Sequence, residues 1–101
     1  MKIKILPDGI DDLYRGRLFY ERINKGIGDY FFDSVVSDID SLLLYAGIHP
    51  IVFGFHRMLA KRFPFAIYYK MDTDTVVIYR ILDLRQDPES IKKNLSDKEQ
   101  R

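Results

Sequence analysis

The sequence predicts an α+β domain: an N-terminal strand and a helical hairpin packed on a small antiparallel sheet, with a short C-terminal helix. Three observations carry this. Residues 65–71 and 75–84 are dense in β-branched and aromatic side chains, lack Gly and Pro, and are separated by Asp72-Thr73-Asp74, a break short enough for a hairpin. Residues 10–46 carry apolar side chains at helical spacing, interrupted at Asn24-Lys25-Gly26. The helical signals precede most of the strand signals instead of alternating with them, as in domains whose helices gather on one face of a sheet.

Taken in order, residues 2–6 alternate Lys with aliphatics, as a half-buried strand does, and Pro7 ends the run. Asp8 is the expected N-cap of a helix beginning near Gly9, and Asp11 and Asp12 suit the positive end of its dipole. Ile10, Leu13, Tyr14, Leu18, Tyr20 and Ile23 recur at helical spacing, and Gly26 marks the stop. Ile27, Tyr30, Phe31, Val35, Ile39, Leu42, Leu43 and Ala46 form one broad stripe, so a single second helix is expected as far as Gly47. The short connection makes the two helices an antiparallel hairpin.

Residues 51–57 read as a further strand, with Gly54 as a bulge or bend, and residues 58–61 as a third short strand or a loop. Pro64 implies an edge or a bend. In residues 75–84 both faces are largely apolar: Val77, Tyr79 and Ile81 on one, Val76, Ile78, Leu82 and Leu84 on the other. This is the pattern of a strand covered on both sides. Pro88 suits the first turn of a helix to about Leu95. The domain is expected to span residues 1–95, with 96–101 a polar, frayed tail.

Length and composition exclude much. At 101 residues there is room for one domain and one core. The absence of cysteine rules out disulfides, thiolate metal sites and cysteine nucleophiles. No apolar run reaches membrane-span length, and the N-terminus reads as a strand instead of a signal peptide, so a cytoplasmic location is expected and no membrane partner. No metal or organic cofactor is indicated. The net charge of +1 does not announce a nucleic-acid binder, but its distribution is uneven: Asp29, Asp33, Asp38 and Asp40 cluster centrally, and His56, Arg57, Lys61, Arg62 and Lys70 follow.

No glycine-rich phosphate loop, metal-binding His/Glu spacing or nucleophile elbow is present. His49 and His56 read either as a general base or as ordinary hydrogen-bonded histidines. Asp29, Asp33 and Asp40 at helical spacing read as a solvated face. Arg57, Lys61, Arg62, Arg80 and Arg85 all come from the predicted sheet or its ends. They are the candidate partner-binding set, able to grip phosphate or carboxylate bidentately, or else Arg80 and Arg85 pair with acids such as Asp83 or Asp87. The aromatics are mainly core, and of Tyr68 and Tyr69, which face opposite ways, one is expected to be exposed.

The run Lys61-Arg62-Phe63-Pro64-Phe65-Ala66-Ile67-Tyr68-Tyr69, a hairpin, and then Arg80-Ile81-Leu82-Asp83-Leu84-Arg85-Gln86-Asp87-Pro88 resembles the RelE/ParE toxin superfamily of bacterial type II toxin–antitoxin systems. The order strand, helical hairpin, sheet matches too, as do Asp12-Leu13 and Phe19-Tyr20. The resemblance implies a cognate antitoxin, often acidic, bound over the cationic sheet surface in a toxin–antitoxin hetero-oligomer, with its carboxylates on Arg57, Arg62 or Arg85. RelE-like members cleave messenger RNA on the ribosome with basic residues and often a late Tyr or His. ParE-like members act on DNA gyrase and need no nuclease site. By position Arg62 and Arg85 match the catalytic sheet-edge arginines of a RelE-like enzyme, with Arg80 a weaker match. Gln86, Asp87 and Pro88 stand where the late Tyr or His belongs, and the near-zero charge is unusual for docking in ribosomal RNA. These departures put the ParE-like reading ahead; a RelE-like endoribonuclease and a non-toxic partner-binding module are the alternatives.

Overall fold

The computed structural model describes residues 1–99, with side chains as far as Ser96. The elements run β1 (Lys2–Ile5), α1 (Pro7–Ile23), α2 (Ile27–Asp40), α3 (Leu42–Tyr45), β2 (Ile51–Val52), β3 (Phe55–Leu59), β4 (Phe65–Asp72), β5 (Thr75–Asp83) and α4 (Pro88–Glu99). The five strands form one sheet in the order β1-β5-β4-β3-β2. It is mixed, not purely antiparallel: β1 lies parallel to β5, with Ile3 opposite Val76, and every other pairing is antiparallel.

The predicted hairpin is β4–β5, closed by Thr73 at φ 56°. β4 alternates strictly. Phe65, Ile67 and Tyr69 join Leu13, Tyr20, Phe31, Val35, Ile39 and Leu42 in a core beneath the helical hairpin, while Ala66 and Tyr68 join Phe55, Leu82, Ile91 and Leu95 in a second core beneath α4. β5 does not keep a single alternation. Tyr68 pairs with Arg80 and Tyr69 with Ile78, so Tyr79 is an extra residue, a bulge. Val76, Ile78 and Ile81 therefore share the helical-hairpin face, while Tyr79, Leu82 and Leu84 share the other. That corrects the sequence grouping, in which period two was carried unbroken along the strand. α4 also accounts for Tyr68 and Tyr69, which are 1% and 0% exposed. Neither is the surface aromatic expected, because Ile91 and Leu95, one helical turn apart, seal the far face.

Several local expectations shift by a residue or more. Pro7 ends β1 and also occupies the first turn of α1, where its missing N–H costs nothing, so Leu6 is the N-cap and Asp8 is not. The second helix breaks at Ser41, whose hydroxyl bonds the Asp38 carbonyl at 2.6 Å; α3 follows as a separate turn. Gly54 is no bulge. Phe53 and Gly54, at φ 55° and 85°, form the two-residue turn joining Val52 to Phe55 in a second hairpin, since such turns need two left-handed residues. α4 runs to Glu99, so the expected tail begins inside a helix, and residues 100–101 lie outside those described.

The helical hairpin is held by an acid in α1. The Glu21 carboxylate accepts from Gly26 N–H at 3.0 Å and Gly28 N–H at 2.9 Å, satisfying amides at the start of α2 that its own turn cannot. The approach is so close that a Cβ on Gly28 would stand 2.5 Å from the Arg17 carbonyl oxygen and 2.7 Å from Glu21 Cβ. Gly28→Ala is therefore expected to destabilise the fold by about 1–3 kcal/mol in urea denaturation, as overpacking does. In an open helix the same change gains about 1 kcal/mol.

Candidate functional site

The cationic side chains singled out in the sequence do not converge. Asp12, on the inner face of α1, reaches the edge of β5 beyond the end of β1. Its Oδ2 accepts from Arg80 Nε at 2.7 Å and from the Ile81 amide at 2.9 Å, and its Oδ1 accepts from Arg80 Nη2 at 2.9 Å. One carboxylate thus satisfies a strand amide and neutralises a guanidinium, and both side chains are largely buried. The bond to Asp12 raises the Arg80 pKa further, so this arginine stays charged, with its Nε and Nη2 held by Asp12.

Arg85 is tied to Asp83 through Nη2 at 2.7 Å and Nε at 3.0 Å, and donates to the Tyr20 hydroxyl at 3.3 Å. Its guanidinium holds the Asp83 carboxyl below the ordinary range. Arg57 pairs in register with Tyr68, bonds its side chain, and has a buried Nε with no hydrogen-bond partner among the described residues. Lys61 and Arg62 lie exposed in the β3–β4 connection. Two of the five candidates are therefore held by carboxylates, one stands beside Tyr68, and two face solvent.

A second group is built around Tyr69. The backbone amides of Gly47 and His49 donate to its oxygen, the first at 2.9 Å, and its own O–H then donates to His49 Nδ1 at 2.5 Å. His56 stacks on the Tyr69 ring at 5.0 Å and its Nδ1 lies 2.8 Å from the His49 carbonyl. A carbonyl only accepts, so His56 carries its proton on Nδ1. Burial, and then neighbouring His56, lower the His49 pKa, keeping it the neutral acceptor this network requires. His49 lines a cavity of about 350 Å³ with Asp38, Ser41, Tyr45, Ile48, Met58, Leu59 and Lys61. Of the sequence alternatives for the two histidines, the hydrogen-bonded one describes their surroundings. No group of three or more metal-ligating side chains occurs among the described residues.

Two partners escaped the sequence reading although a signal was present. Gly9, Asp12, Leu13, Gly16 and Tyr20 form one helical stripe whose other members are buried, so Asp12 points inward with them. Phe31, Val35, Asp38 and Leu42 form another, and Asp38 is 4% exposed, its Oδ2 accepting from the Lys61 amide at 3.0 Å. An acid inside an apolar stripe announces a buried bond, not a solvated face.

Asp12→Ala, which orphans a buried guanidinium and a strand amide, should cost about 3–5 kcal/mol in denaturant melts. Asp11→Ala, which breaks an exposed pair with Arg15, should leave the melt nearly unchanged. For His49 the folded pKa lies below that of the unfolded chain, so the unfolded state takes up the proton first. Stability should be full above about pH 6.5 and fall as pH drops below it, and His49→Asn, which does not titrate, should flatten that slope in urea melts.

No family model and no curated protein matches the chain. A solved structure described as the chromosomal ParDE TA system from P. aeruginosa contains a chain similar to it, with 20% sequence identity and a TM-score of 0.76, covering 84% of this chain and 97% of that one. That likeness is one of fold, and the protein therefore has a ParE-like α+β fold.

Proposed function

We propose that the protein is the toxin of a bacterial type II toxin–antitoxin pair, acting in the cytoplasm by the ParE-like route. It arrests growth by binding a protein target such as DNA gyrase, and a cognate antitoxin neutralises it in a hetero-oligomer. The fold likeness to a chain of the ParDE system supports the class, and no described helix is long and apolar enough to cross a membrane. The observation that carries the route is the occupation of the sheet arginines. Stabilising the charge on a scissile phosphate needs convergent, uncommitted donors. Arg80 is spent on Asp12 and Arg85 on Asp83, and α4 covers the sheet face that includes Tyr68. Binding a protein target requires no such cluster. It needs apolar surface, and α1 exposes Tyr14, Leu18 and Phe19.

The test is induction of the protein alone in bacterial cells, reading growth together with messenger RNA integrity. The expected outcome is arrest with intact messages, toxicity retained by Arg62→Ala and Arg85→Ala, and gyrase-linked DNA damage. Translation-dependent cuts abolished by those two substitutions would establish the RelE-like endoribonuclease instead. Unimpaired growth would leave a partner-binding module.

A further inference from the structure

The edge of the sheet at α3, β2 and β3 has a composition unlike the rest of the chain. Leu44, Ile48 and Ile51 are 80%, 72% and 61% exposed, and Phe53 and Leu59 are also exposed. Ile48 and Leu59 belong to the wall of the His49 cavity, so this apolar surface is continuous with a concave site deep enough for a large side chain. β2 is the outermost strand, and no described element pairs with its free side. Exposed apolar area of this kind marks an interaction surface.

Charge identifies the partner. Residues 41–71 contain Arg57, Lys61, Arg62 and Lys70 and not one Asp or Glu, although the whole chain carries fifteen acids against sixteen bases. Lys61, which lines the cavity, is exposed, as is Arg62 next to it in the chain, and the Asp38 carboxylate in the wall is buried and bonded to the Lys61 amide. A second copy of this chain would set like charges face to face, which disfavours self-association here. A nucleic acid would satisfy the cations but not the aliphatic side chains between them. An acidic, amphipathic polypeptide segment satisfies both.

We propose that the α3–β2–β3 edge is the docking surface for an acidic amphipathic segment of a partner polypeptide, one of whose apolar side chains fills the His49–Leu59 cavity while its carboxylates meet Lys61 and Arg62. The inference deepens the proposed function by naming where the antitoxin is held. It moves that contact from the sheet face, which α4 already covers, to the sheet edge, and it leaves the surface of α1 for the target.

The probe is a displayed library of random peptides about four helical turns long, selected against the intact protein and measured by fluorescence anisotropy. Ile48→Asp and Lys61→Glu change exposed residues, and a denaturant melt confirms that each variant folds. Enriched peptides should combine Asp or Glu with spaced aliphatic residues, lose about tenfold or more in affinity for each variant, and bind more slowly in high salt. Peptides without an acidic excess, or binding that ignores both substitutions, overturn the proposal. So does tighter binding of a single-stranded oligonucleotide at the same surface, or self-association that Ile48→Asp abolishes. Growth arrest in cells is read separately. A toxic chain whose peptides ignore Ile48 and Lys61 loses this docking surface and keeps the proposed function; a non-toxic chain whose peptides obey them does the reverse.

Discussion

The position of β5 is the constraint on which the rest of the molecule depends. It pairs with β4 on one side and β1 on the other, and its apolar residues face both ways. A strand of that kind is stable only if both faces of the sheet are covered, and a chain of this length has few elements with which to do it. The helical hairpin takes one face and α4 the other. The bulge at Tyr79 lets β5 change alternation partway, so that Val76, Ile78 and Ile81 reach the same core despite their spacing.

The same constraint decides what the arginines do. β1 accompanies β5 only as far as Ile78, and beyond that point the Ile81 amide would lack a partner. Asp12 supplies one, and a carboxylate held in so dry a place needs a cation beside it. Arg80 meets that need with two of its guanidinium nitrogens, Nε and Nη2. A residue that reads in the sequence as a phosphate ligand is thus a structural counter-ion, because the charge it answers comes from a helix sixty-eight positions earlier.

Neutrality overall conceals a division of the surface. Acids lie on α1, α2, the turns around β5 and α4, while the stretch from α3 into β4 is basic and apolar. The His49–Tyr69 network lies beneath the basic edge and fixes the connection between α3 and β2, so the cavity there has a defined wall.

The α+β class, the β4–β5 hairpin, the helical hairpin and its break at Gly26, and the C-terminal helix after Pro88 were legible in residue order, because each rests on local periodicity and turn chemistry. Asp12 and Asp38 were half legible, as acids within apolar stripes. The Tyr79 bulge, the break at Ser41, the parallel pairing of β1 and the partners of Arg80 were not. The sequence by itself determined which segments form helices and strands, since backbone preference and amphipathic spacing act over a few residues. Only the tertiary structure decided which strand edge lacked a partner, which charges were consumed in supplying one, and which cations and apolar side chains were left at the surface, since those outcomes depend on contacts between residues far apart in the chain.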